Sequence, residues 1–251
     1  MKLALYGVMF AAASLMVLTP IRSAGAAEIV AEPVTGYFGE AIVTPDGVAP
    51  RPDHGTTLVP TTAYDNTASA PNFGVSSTDF ASQWGDQLVT TLAGPLSTHK
   101  FTIFNGSTAG LTLLTAAVNV AFFDAITAAP LGAYNTSVSF GAGLPNGFFS
   151  IVTVTGIDPL NINLPTDIIV VQTVTGTTGT ATRLGVASMN PPTIGSSPAS
   201  MFISSSTIGG GIPGFYTFPN GPANPGYQVV VNEPVVPADL TSWGRVKGMY
   251  R

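Results

Sequence analysis

The sequence predicts an all-β protein, a two-sheet antiparallel β-sandwich of jelly-roll-like type, and three observations carry that prediction. Between residues 61 and 232, β-branched and aromatic runs alternate with turns rich in Gly, Pro, Asn and Asp. No segment of this region keeps the helical period. About nine short strands exceed what one open sheet comfortably holds, so two stacked sheets that bury their apolar faces are favoured.

The predicted strands are residues 61–66, 87–92, 99–105, 111–123, 137–140, 147–155, 168–175, 181–188 and 227–231. Segment 111–123 is ambiguous because its alanines suit a helix, yet its Thr and Val residues favour a strand. The run Ile168-Ile169-Val170-Val171 predicts a strand buried on both faces. Two connections, 189–200 and 208–224, are long and rich in Pro and Gly, and loops of this length are where a ligand site would lie.

Residues 1–26 have the features of a secretory signal peptide. An apolar stretch ends at Leu18, and Ala24-Gly25-Ala26 has the small-x-small pattern that a signal peptidase accepts. The alternative is a membrane anchor, but Pro20 and Arg22 interrupt the apolar run before it reaches about 20 residues. We therefore expect cleavage before Ala27, export, and no transmembrane segment afterwards.

Residues 27–60 are predicted to form an irregular leader, because frequent Pro and Gly forbid long regular elements. The apolar cluster from Tyr37-Phe38 to Ile42-Val43 is a candidate to dock on the domain or to add an edge strand. The sandwich domain is expected at 61–232, and a linker with a short amphipathic tail at 233–251.

The composition excludes several classes of function. The chain has no cysteine, so disulfides and Cys-based metal or redox sites are unavailable. Charged residues make up only 8% of the chain, and Lys100 and Arg183 are the only basic residues between Pro52 and Gly244. Nucleic acid is therefore not an expected partner. A neutral surface rich in hydroxyl groups can instead face polysaccharide, envelope components or identical copies.

Two polar motifs open the predicted domain: Tyr64-Asp65-Asn66-Thr67 and then Trp84-Gly85-Asp86-Gln87-Leu88. A third patch is Met189-Asn190-Pro191-Pro192-Thr193-Ile194-Gly195-Ser196-Ser197. In this order the three patches resemble a family of secreted bacterial β-sandwich proteins that often carry PEP-CTERM-type sorting tails. The resemblance implies a jelly-roll-like exported surface domain over residues 61–232 and no catalytic residues. It does not extend to the tail, because no membrane-length apolar segment follows Pro237.

The polar motifs contain three candidate ligands for a structural calcium ion. Asp65, Asn66 and Asp86 offer oxygen atoms from neighbouring strand entries, which is what hard cations prefer. In the favoured alternative, Asp65 and Asn66 hydrogen-bond their own turn and Asp86 caps the next strand, since no repeated Asp-x-Asp-x-Asp loop is present. No other cofactor is predicted.

His54 and His99 are expected to be surface residues.

Four aromatic residues are candidates for stacking on sugar rings: Trp84, Phe215, Tyr216 and Phe218. The favoured alternative is that these rings hold the second long loop against the sandwich.

The tail carries apolar residues at helical spacing, and Trp243 and Tyr250 belong to this stripe. Arg245, Lys247 and Arg251 add a localised positive charge. The tail is therefore either a frayed or docked terminus or a recognition and envelope-attachment peptide, and the sequence leaves both open.

The expected function is that of a non-enzymatic exported protein with a structural or adhesive role at the bacterial cell surface or in the extracellular matrix. A carbohydrate-binding module that uses the loop aromatics is the alternative. A glycoside hydrolase with an unrecognised carboxylate pair is less favoured. No nucleophile elbow, metalloprotease motif or phosphate-binding loop is present.

Overall fold

The computed structural model describes residues 22–23, 31–49, 58–208 and 211–234. Its strands are β1 (Arg22–Ser23), β2 (Ala31–Glu32), β3 (Gly36–Val43), β4 (Leu58–Asp65), β5 (Pro71–Ser77), β6 (Gln83–Val89), β7 (Gly94–Asn105), β8 (Thr112–Asp124), β9 (Pro130–Pro145), β10 (Phe148–Val154), β11 (Asn163–Leu164), β12 (Asp167–Gly179), β13 (Leu184–Met189), β14 (Met201–Ser204), β15 (Gly214–Thr217) and β16 (Tyr227–Pro234). One 3-10 turn, Asp158–Leu160, precedes β11. None of the described segments is a helix with the length and apolar character needed to cross a membrane.

The strands form two sheets, as the sequence predicts. The first sheet has the order β1-β15-β14-β6-β12-β8-β9. The second has the order β2-β5-β13-β7-β10-β3, with a branch in which β16 pairs with β7 and β4 pairs with β16, and with β11 beside the start of β7. Neighbouring strands are antiparallel, except that β3 beside β10 and β1 beside β15 are parallel. From β5 to β16 the chain crosses repeatedly between the sheets, which places the core between them.

Successive side chains of β12 point to opposite faces of the first sheet, and their burial helps to hold the two sheets together. Ile168 and Val170 point into the core between the sheets, and each fully buried side chain of this size contributes about 1.5–3 kcal/mol. Ile169 and Val171 lie on the opposite face and pack with Phe202. The prediction that this strand is buried on both faces is confirmed.

The ambiguous segment 111–123 is a strand, β8, which pairs with β12 on one side and β9 on the other. Ala116, Val118 and Val120 alternate into the core. Hydrogen-bonding partners on both sides outweigh the helical tendency of the alanines, because strand preference depends on neighbours more than on the isolated backbone.

The leader is less irregular than predicted, because residues 31–43 contribute β2 and β3 to the second sheet. Of the two possibilities for the Tyr37 to Val43 cluster, docking on the domain or adding an edge strand, the structure shows the edge strand, because β3 pairs with β10. Two ion pairs support this docking: Glu32 with Arg183 at 3.0 Å and Glu40 with Lys100 at 3.1 Å. The two basic residues of the predicted domain therefore both hold leader strands.

Several strands escaped the sequence analysis because their residues are typical of turns. In β5, Phe73 and Val75 enter the core although Pro, Asn, Gly and Ser surround them. Gly74 is required there because a Cβ atom would lie 2.3 Å from the ring of Phe104. The connection 208–224, expected to be a loop, contains β15, and β6 begins at Gln83, earlier than predicted.

Some predictions lie outside the described residues. Of the predicted signal peptide, the structure describes the backbone of Arg22–Ser23, which runs beside β15. His54 and the tail residues Trp243, Arg245, Lys247, Tyr250 and Arg251 are not among the described residues.

Candidate functional site

The three motif patches, distant in sequence, meet at one end of the sandwich. Loop 190–200 runs along the ends of β4 and β6 and makes a two-way backbone contact with each. Asp65 bridges to Ile194, and Val89 bridges to Ser196. The conformation of this end is therefore set by residues from all three patches, and we call it the motif end.

Asn66 joins three chain segments at the motif end. Its fully buried side-chain amide donates hydrogen bonds of 3.0 Å to the carbonyl oxygens of Met189 and Pro225. Its Oδ1 accepts a hydrogen bond of 2.6 Å from the backbone N–H of Tyr227. The amide thereby connects the end of β4 with the end of β13 and the start of β16.

The prediction that Asn66 bonds its own turn is wrong for its side chain, whose partners lie in distant segments. Asp65, by contrast, uses one carboxylate oxygen for local bonding, as the favoured alternative predicted. Its Oδ1 accepts hydrogen bonds of 2.8 Å from the backbone N–H and the hydroxyl of Thr67, which closes the turn after β4. Its Oδ2 accepts a hydrogen bond of 2.8 Å from the side chain of Gln228 on β16.

Asp86 does not cap a strand, and that part of the prediction is wrong. It lies in the middle of β6 with its side chain fully buried. Its Oδ2 accepts hydrogen bonds of 2.6 Å from the Ser197 hydroxyl and 3.0 Å from the Asn224 amide. Each donor belongs to one of the two long connections, so a single carboxyl group holds both. Burial raises the pKa of Asp86 well above its usual range, which favours the neutral form.

His99 is also buried, contrary to the prediction that it lies on the surface. Its ring is stacked on Tyr227 at 5.5 Å between centroids and meets the edge of Phe122 at 5.3 Å. Its Nδ1 is 2.7 Å from the hydroxyl of Tyr134. Burial lowers the pKa of His99 to about 3, so the imidazole is neutral in the folded protein at neutral pH.

The described interior contains four polar atoms that have no hydrogen-bond partner among the described residues. They are Tyr64 Oη, Asp86 Oδ1, His99 Nε2 and Gln172 Oε1. An unpaired buried polar group costs about 1–3 kcal/mol. Two of the four residues, Asp86 and His99, have pKa values shifted by burial, so their contribution to stability depends on pH.

The motif end does not contain a recognisable catalytic arrangement. The Ser197 hydroxyl donates to Asp86, whereas the described histidine, His99, is held by Tyr134. Ser197 therefore has no histidine beside it, and the raised pKa of Asp86 favours a neutral carboxyl group, which is a poor base. Within the described ranges, no three His, Cys, Asp or Glu side chains form a group that could hold a metal ion.

The calcium prediction involves residues whose oxygens are largely engaged in other contacts. The side-chain oxygens of Asp65 and Asn66 accept hydrogen bonds from Thr67, Gln228 and Tyr227. Asp86 retains one unpartnered oxygen, Oδ1. Calcium binding would require several of these oxygens to exchange their donors for a cation, so it stays a prediction to be tested.

Substitutions of Asp86 distinguish its role as a hydrogen-bond acceptor from a role as a calcium ligand. A carboxyl whose pKa is raised by folding contributes stability below the unfolded pKa and loses it as the pH rises towards the folded pKa. We expect Asp86→Asn, which keeps an oxygen for Ser197 and Asn224, to melt higher than the native protein at pH 8 but not at pH 4. Asp86→Ala should lose about 2–4 kcal/mol because both donors lose their acceptor.

The measurement is thermal unfolding of the native protein and both variants, each with and without calcium. No calcium effect is expected. A rise in melting temperature with calcium that disappears in Asp86→Asn would identify a cation site and overturn the hydrogen-bonding interpretation.

The candidate sugar-stacking residues are mostly part of the core. Trp84, Tyr216 and Phe218 are buried in a cluster that also contains Phe73 and Ile203. Phe215 is half-buried on the outer face of the first sheet, with its ring 5.6 Å from that of Phe202. The structure therefore agrees with the favoured alternative, in which the rings hold the second long connection against the sandwich. The rings of Trp84, Tyr216 and Phe218 would have to leave the core before they could stack on a sugar.

Comparisons with known proteins do not assign this chain to a family. No family model matches the sequence, and no curated protein matches it. Among solved structures, a chain from the infectious bursal disease virus Gx strain matches with a TM-score of 0.26 and 14% identity, over 77% of this chain and 42% of the viral chain. CBM28, a carbohydrate-binding module specific for non-crystalline cellulose, matches with a TM-score of 0.25 and 11% identity, over 71% and 96%. At these values neither neighbour informs the function. The fold itself defines this chain as an all-β, two-sheet sandwich.

Proposed function

We propose that this protein is a non-enzymatic exported β-sandwich with a structural or adhesive role at the bacterial cell surface or in the extracellular matrix. The supporting observation is the use of the motif residues. The side chains of three motif residues, Asp65, Asn66 and Asp86, make hydrogen bonds that join β4, β6, β13, β16 and both long connections. Residues used in this way stabilise the domain and are not available to a substrate.

The charge distribution also supports a passive surface. Lys100 and Arg183 are both paired with glutamates of the leader strands. The outer face around β8 and β9 carries hydrogen-bonded polar side chains, including Asn119 with Asn135 at 3.0 Å. Such a face can lie against neutral polymers or identical copies without electrostatic repulsion.

The tail is part of this proposal as the segment that attaches the protein to the envelope. β16 ends at Pro234, before the basic and aromatic tail residues begin. Attachment through a short amphipathic basic segment would combine apolar contact with attraction to anionic groups.

Deletion of residues 239–251 tests the proposed function in cells. We expect the truncated protein to melt at nearly the same temperature, because Pro234 and Pro237 separate the tail from β16 and an isolated helix shorter than about 12–15 residues is marginal in water. We also expect it to move from the cell-associated fraction to the medium. A control in which Arg245, Lys247 and Arg251 are changed to Gln keeps the tail length and tests the contribution of charge. Unfolding of the truncated domain, or unchanged cell association, would contradict the attachment role.

A glycan array on the same purified protein addresses the carbohydrate-binding alternative. We expect no signal above background. Saturable binding to one class of glycan would replace the structural role with carbohydrate binding, and release of sugar from that glycan would favour the hydrolase alternative.

A further inference from the structure

The second sheet contains a five-strand path, β3-β10-β7-β16-β4, whose two outer strands each have an open edge. Among the described residues, β3 pairs with β10 alone, and β4 pairs along its length with β16 alone. Only the last residues of β4 have further contacts on the open side, where Ala63 and Asp65 accept hydrogen bonds from Thr91 and loop 190–200. Free strand edges present unpaired N–H and C=O groups, which can accept another strand.

Exposed apolar side chains are concentrated on these two strands. In the described part of the chain nine large hydrophobic side chains are exposed, and five of them lie on β3 or β4: Tyr37, Phe38, Ile42, Leu58 and Val59. Ile42 is 72% exposed and Val59 is 48% exposed. Both edges of the same path are therefore apolar as well as unpaired, which is unusual for a surface that must stay monomeric.

The strand directions make the two edges complementary. β3 is parallel to β10, and each later step of the path, β10 to β7, β7 to β16 and β16 to β4, is antiparallel. Consequently β3 and β4 run in opposite directions within one molecule. If two copies lie side by side in the same orientation, β3 of one meets β4 of the next as an antiparallel pair, which continues the sheet.

Charge does not oppose this contact. Glu40 is the charged residue of β3, and it is already neutralised by Lys100. Residues 58–62 of β4 carry no charge. No like charges would face each other across the junction, so the apolar side chains and the backbone can approach.

From these observations we propose that copies of this chain associate head to tail, with β3 of one copy pairing antiparallel with the open part of β4 of the next. This deepens the structural role proposed above by naming the partner as a second copy. A heterologous contact of this kind does not close on itself and yields open chains of molecules. The twist between strands would make these chains helical.

Each junction should be weak by itself. The open part of β4, residues 58–62, has five residues, which corresponds to an edge of about 17 Å. The register shift in β3 near Gly39 and the missing N–H of Pro60 shorten the ladder further. Such an edge is smaller than a standard stable interface, so assembly should depend on concentration.

The test uses charged substitutions at one edge at a time, followed by sedimentation of the purified exported protein from about 1 μM to about 1 mM, the range of weak protein contacts. Ile42→Lys blocks β3, and Val59→Lys blocks β4. Ile126→Lys is the matched control, because Ile126 is 75% exposed and follows β8 in the other sheet. Thermal melting of all three variants confirms that they fold.

The native protein and the Ile126→Lys control should reach an average mass more than about twice that of one copy at the highest concentration, as an open chain requires. Each edge variant should stay monomeric. An equal mixture of the two edge variants should form dimers and nothing larger, because one intact β3 and one intact β4 remain.

Three results would overturn the proposal: a native protein that is monomeric throughout, assembly that survives Val59→Lys, or equal loss of assembly in Ile126→Lys. Failure of the assembly proposal can be told apart from failure of the proposed function. A protein that stays monomeric but remains cell-associated contradicts the assembly and leaves the surface role standing.

Discussion

Replacing Asn66 by alanine is expected to lower the free energy of unfolding by about 3–9 kcal/mol, because three buried groups lose their partner and each costs about 1–3 kcal/mol. The groups are the N–H of Tyr227 and the carbonyl oxygens of Met189 and Pro225. A domain of ordinary stability has about 5–15 kcal/mol in total, so this loss would remove a large fraction of the stability.

Urea unfolding followed by circular dichroism measures this effect. Asn66→Asp should be at least as damaging as alanine, because the charged oxygen that replaces the amide nitrogen would face the carbonyl oxygens of Met189 and Pro225. The control is Asn72→Ala, at an exposed position on β5, which should remain within about 0.5 kcal/mol of the native protein. A loss of less than about 1 kcal/mol in Asn66→Ala would mean that the amide does not connect the three segments as described.

Acid should destabilise the protein through His99. The folded pKa is about 3, below the unfolded value of about 6.5, so only the unfolded chain takes up this proton as the pH falls below about 6.5. Stability should then fall by up to about 1.4 kcal/mol per pH unit, which amounts to about 2.7 kcal/mol at pH 4.5. Asp86 acts in the opposite direction, because its raised pKa favours the protonated folded state at low pH.

The double variant His99→Phe with Tyr134→Phe isolates the contribution of the imidazole. It removes both partners of the hydrogen bond while keeping two aromatic rings, a change that leaves no polar atom unpaired at this contact. Unfolding free energies measured between pH 7.5 and pH 4.5 should fall less steeply for the double variant than for the native protein. Tyr134→Phe alone should keep the native slope. Parallel curves for the native protein and the double variant would show that His99 is not buried in neutral form.

The sequence analysis singled out Asp65, Asn66 and Asp86, but it predicted their hydrogen-bonding partners only in part. The turn contacts of Asp65 follow from its position two residues before Thr67, and such local bonds are readable from sequence. The partners of Asn66 lie 123, 159 and 161 residues away along the chain. The partners of Asp86, Ser197 and Asn224, are 111 and 138 residues away. No local sequence pattern indicates hydrogen-bond partners that are so far apart along the chain.

The sequence by itself determined the all-β class and the strand that is buried on both faces, because β-branched runs and period-2 alternation act between near neighbours. For the apolar cluster of the leader it left open whether the cluster docks on the domain or adds an edge strand. Only the tertiary structure decided which polar residues are buried. His99, flanked by Thr98 and Lys100, has the sequence context of a surface residue, yet it points between the sheets because β7 is a central strand whose alternate side chains enter the core. Tertiary structure likewise decided that the turn-like residues of β5 form a strand. Their pairing with β13 satisfies the backbone, and burial of Phe73 and Val75 outweighs a weak local preference.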